Sequence, residues 1–71
     1  MDYLSSFLQI KFPTTNFRTV LVKYEDIERI VGLEANGKLE VRIYLKSLNG
    51  GYWRFDGSME EFKKNCETVR L

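Results

Sequence analysis

The chain has 71 residues, ten of them aromatic, with eleven basic and ten acidic side chains and a net charge of +1. This length makes a single domain, residues 1–71, near the lower limit for a core that folds without staples, and the charge balance excludes a nucleic-acid binder driven by bulk charge. The one cysteine, Cys66, excludes an internal disulfide, and no apolar run approaches the roughly 20 residues of a membrane span. Asp2 stands where a signal peptide carries positive charge, so the expected location is cytoplasmic, in a cell or in a host if the chain is viral.

In chain order, FLQIKF alternates Leu8, Ile10 and Phe12 with Gln9 and Lys11, a strand pattern that Pro13 ends and PTTN turns. FRTVLVKY predicts a second strand over about Phe17 to Tyr24, with Val20, Val22 and Tyr24 on one face and Thr19, Leu21 and Lys23 on the other. YEDIERI, acidic and free of breakers, predicts one helical turn, and RIVGLE a short strand in which Gly32 marks a bulge. Asn36-Gly37 is the pair favoured in type I′ hairpins, where both central residues need positive φ. LEVRIYLKS then alternates Leu39, Val41, Ile43 and Leu45 with Glu40, Arg42, Tyr44 and Lys46. LNGG turns the chain into GYWRF, where Trp53 and Phe55 share the core side and Tyr52 and Arg54 the other.

GSMEEFKKNCETVRL predicts a closing helix. Ser58 and Glu61 have capping-box spacing, the acids precede Lys63, Lys64 and Arg70, and Met59, Phe62, Cys66 and Val69 form an apolar stripe. The expected fold is therefore α+β: an antiparallel sheet of four to five strands, a meander, with one C-terminal helix packed across one face. The N-terminal strand, fixed by no tight turn, is the candidate edge strand.

The chemistry of the composition is restrictive. No histidine is present, which removes the usual general base and the commonest transition-metal ligand. Cys66, on the apolar stripe, reads as a buried inert thiol, without the histidine partner of a cysteine nucleophile or a zinc site. The neighbours Glu25-Asp26 and Glu60-Glu61 point about 100° apart on a helix and read as solvated first-turn charges, not as a catalytic dyad. Gly50-Gly51 and Gly57 make no phosphate loop. The expectation is a chain without catalytic, metal or cofactor site.

What remains is the uncovered sheet face, on which Arg42, Tyr44, Lys46, Tyr52 and Arg54 form a continuous patch. Tyrosine and arginine are enriched at protein-binding hot spots; the same rings and cations suit stacking and phosphate contact with single-stranded nucleic acid; and such residues also simply face solvent over their alkyl stems. Leu21 either extends this patch or lies under the N-terminal YLSSF, with Tyr3, Leu4 and Phe7. The leading expectation is a non-enzymatic protein-binding module, an adaptor or stoichiometric inhibitor of a larger protein or assembly, using this face or an edge strand. The alternatives are single-stranded nucleic-acid binding on the same face and a structural subunit of an oligomer, a homodimer in the simplest case.

The order of strand, acidic I-x-x-I turn at Ile27–Ile30, hairpin and G-S-x-E-E helix start at Gly57–Glu61 resembles the flagellar FlbD family of small bacterial sheet proteins. It is also similar to the KTSC domain, with its hairpin and C-terminal helix. Both likenesses span about residues 18 to 66 and concern fold, so no residue role is carried across from them.

Overall fold

The computed structural model describes residues 6–13 and 18–70; Tyr3, Leu4 and most of the PTTN turn lie outside the described residues. Strand β1 (Ser6–Phe12) buries Leu8, Ile10 and Phe12 and stops at Pro13, as alternation and the missing N–H require. Strand β2 (Arg18–Lys23) runs back beside it, with Val22 buried, Val20 half-buried and Leu21 turned outward.

Here the architecture departs from the single meander. A 3-10 turn at Tyr24–Asp26 carries the chain out of the first sheet and into a second one. Strand β3 (Ile27–Ala35), longer than the RIVGLE segment expected, turns at Asn36 (φ 54°) and Gly37 (φ 78°) into β4 (Lys38–Leu45), which is the hairpin the Asn-Gly pair predicts. A second 3-10 turn, Lys46–Leu48, leads into β5 (Tyr52–Asp56). The described residues thus form two three-stranded antiparallel sheets, ordered β2-β1-β6, with β6 at Cys66–Arg70, and β3-β4-β5. The physical reason is coverage: the apolar faces of both sheets need a partner wider than a six-residue helix can be. They meet each other instead, with Ile10, Val41 and Ile43 fully enclosed. Phe12 lies 6.1 Å from both Trp53 and Phe55, ring centre to ring centre, which ties one sheet to the other.

The closing segment is also corrected. Helix α1 covers only Met59–Lys64, and Cys66–Arg70 forms strand β6 along the free side of β1. Asn65 ends the helix, its side-chain amide donating to the Glu61 carbonyl at 2.8 Å. Beyond it Thr68 and Val69 are β-branched and poor helix formers. The 59-62-66-69 stripe therefore splits: Phe62 packs edge-on against Phe55 at 5.4 Å, while Cys66 lies opposite Ile10 in the sheet. β1 becomes the central strand of its sheet, and the edges are β2 and β6 there and β3 and β5 in the other sheet.

The capping box is present as predicted, with the Glu61 amide donating to Ser58 Oγ at 3.1 Å and the Ser58 amide to Glu61 Oε1 at 2.9 Å. Ser58→Ala is expected to cost about 1 kcal/mol, a fall in Tm of roughly 4–8 °C for a domain of this size, read by thermal circular dichroism. An unchanged Tm would mean that Phe62 packing alone holds α1. Gly32 is not a bulge, since the register shift lies at Ile27/Arg29. A Cβ at Gly32 would sit 3.3 Å from the Met59 methyl, so this glycine lets α1 approach β3. No helix among the described residues is long and apolar enough to cross a membrane.

Candidate functional site

The outer face of β3-β4-β5 is set by register. Arg29, Tyr44 and Tyr52 lie in one row across the three strands, Val31, Arg42 and Arg54 in the next, and Leu33, Glu40 and Asp56 in a third. Of the expected patch, Arg42, Tyr44, Tyr52 and Arg54 come together here. Lys46 does not, because the strand has ended at Leu45 and Lys46 opens the 3-10 turn.

Within the face, cations and rings interleave. The Arg29 guanidinium stands over the Tyr44 ring at 4.2 Å, that of Arg42 over the Tyr52 ring at 4.7 Å, and the two rings are 5.1 Å apart. Arg42 Nε also donates to Glu40 at 2.6 Å, and Arg54 pairs with Asp56 at 3.1 Å. Tyr44 and Glu40 both favour the charged guanidinium of Arg42. In return, the donor groups of Arg42, and then Arg29, hold the Tyr44 hydroxyl below the ordinary phenol value of 10.0. Glu40, expected as a solvent-facing acid, is buried under this pairing. Arg29 is the member that sequence reasoning missed; only the β3–β4 register, with its shift at Ile27/Arg29, places it opposite Tyr44.

The acidic pairs have structural partners. Asp26 accepts from the Ser47 amide at 2.9 Å and from its hydroxyl at 2.6 Å, clamping the two 3-10 turns together, and Glu61 serves the helix cap. Burial pushes the Cys66 thiol up to about 11, which keeps it protonated at neutral pH. Among the described residues no group of three or more His, Cys, Asp or Glu side chains is placed to hold a metal ion.

No family model, curated protein or solved structure matches the chain.

Proposed function

We propose that the chain is a non-enzymatic protein-binding module, an adaptor or inhibitor, that contacts its partner with the outer face of β3-β4-β5. The observation that carries this reading is the interleaved set Arg29, Tyr44, Arg42 and Tyr52 on a face that neither α1 nor the other sheet covers. Rings held against guanidiniums lose little conformational freedom on binding, and Tyr and Arg are the side chains that dominate contact energies. Single-stranded nucleic acid is the weaker reading, because all three guanidiniums already face carboxylates and two ring faces carry a cation.

The test is a pair of measurements. Fluorescence anisotropy of a labelled mixed-sequence oligonucleotide, at low and physiological salt, is expected to stay flat, since a phosphate-binding face would bind tightly at low salt and weaken steeply as salt rises. Tyr52→Ala with Arg54→Ala is expected to abolish partner recovery from a lysate while Tm falls by less than about 8 °C, the two residues losing one ring pair, one cation–ring contact and one exposed ion pair. Unfolding of the double variant would assign the face to stability instead. A mass that rises with concentration and falls in the variant would assign it to self-association.

A further inference from the structure

The side of the sandwich at β2 holds a groove of about 750 Å³. Four consecutive residues, Val20 to Lys23, line it. Alternate strand residues point to opposite faces, so a hollow touched by all four runs along the edge of the strand and not over one face. Among the described residues that edge is unpaired, since β2 is bonded to β1 alone. Its backbone N–H and C=O groups on that side are therefore free to bond a further strand. Opposite them the wall is Leu45, Leu48 and Trp53.

Two of the four large apolar side chains exposed among the described residues lie here. Leu21 is 46% and Leu48 43% exposed, and Trp53 is only half-buried although it faces the core side with Phe55. The groove has the chemistry of a missing strand: a free backbone edge, apolar walls and large side chains partly open toward it.

Charge selects the occupant. At the groove's Trp53 end the Arg18 guanidinium stands 5.3 Å from the indole centre, and no ion pair among the described residues uses it. The other end carries Lys23 beside Glu25 and Asp26, a mixed environment. An added strand running antiparallel to β2 brings its C-terminal end beside Arg18.

We propose that the β2 edge accepts an extended apolar segment of another protein, paired antiparallel to β2, with a carboxylate at the segment's C-terminal end meeting Arg18. This rests on reading the chain as a protein-binding module and names the kind of partner, but it uses residues separate from the Arg-Tyr face.

The probe is a capped peptide of alternating Val and Thr, roughly six residues long as strands commonly are, with Asp at its C-terminal end. Trp53 is the chain's one tryptophan, so its emission reports the groove. A saturable blue shift is expected in roughly the micromolar range. A peptide of the same composition with Asp at the N-terminal end is expected to bind about tenfold more weakly, the effect of one charge-assisted contact, and Arg18→Glu to reverse that order. N-methylation of alternate peptide amides should remove binding, as should Leu48→Lys, an exposed position whose change leaves the core alone. Tyr52→Ala with Arg54→Ala should bind the peptide normally, which separates failure of the groove from failure of the outer face. Equal binding of the N-methylated peptide, indifference to the position of Asp, or no blue shift with any peptide would overturn the proposal. So would a Trp53 shift that follows protein concentration alone, which would place a second copy in the groove.

Discussion

Ile43→Ala is expected to lower the unfolding free energy by about 2–5 kcal/mol, the range for truncating a large buried aliphatic side chain. Ile43 is fully enclosed at the centre of β4, between Ile30 and Trp53 across its own sheet. It belongs to the same core cluster as Leu8 and Ile10 of the facing sheet. A chain of 71 residues has roughly 4–11 kcal/mol of total stability at ordinary values per residue, so this one change removes a large part of it. Urea unfolding followed by circular dichroism measures the loss. Leu39→Ala is the control, because Leu39 shares the alternation of Val41 and Ile43 yet is 55% exposed. Its truncation is expected to stay within about 0.5 kcal/mol. Equal losses at the two positions would mean that alternation alone, and not the facing sheet, decides what is enclosed.

That comparison marks what was legible in the sequence. Alternation correctly assigned the faces of β1, β2 and β5 and of β4 from Val41 onward, though not the exposure of Leu39 or the burial of Glu40, and Asn36-Gly37 and Ser58 with Glu61 fixed a turn and a cap through local chemistry alone. Each of those signals acts over a few residues. The division into two sheets depends on where the Tyr24–Asp26 turn sends the chain, and its anchor, Asp26 to Ser47, spans 21 positions. No local pattern encodes a contact of that kind. The candidate face was legible as far as parity reaches, through Tyr44, Arg42, Tyr52 and Arg54. Arg29 was not, because a register shift in β3 decides which side it occupies. The C-terminal segment misled for a further reason. Met59, Phe62, Cys66 and Val69 have helical spacing, and CETVR does not alternate apolar with polar residues, so it is the open side of β1, and no local period, that selects the strand.

Stopping the chain after Asn65 is therefore expected to do more than shorten a tail. Residues Cys66–Arg70 lie antiparallel to β1, with Cys66 opposite Ile10 and Thr68 opposite Leu8. Without them the first sheet has two strands, too few to be stable alone, and the apolar β1 acquires an open edge of the kind that pairs between molecules. The expected result is a fall in Tm of more than about 10 °C or failure to fold, each kcal/mol lost being worth roughly 4–8 °C in a domain this small. Aggregation and loss of amide-exchange protection at Phe7, Gln9 and Lys11, the β1 residues whose amides face β6, should accompany it. Thr68→Ala separates the strand from the helix that spacing alone suggests. Alanine is the best helix former and a poor strand residue, and the substitution also removes the 2.7 Å bond between the Thr68 and Tyr24 hydroxyls. A strand predicts a loss of about 1 kcal/mol, whereas a helix packed across the sheet predicts a gain. A gain, with β1 protection intact after truncation, would return residues 66–70 to α1 and leave β1 as the edge of its sheet.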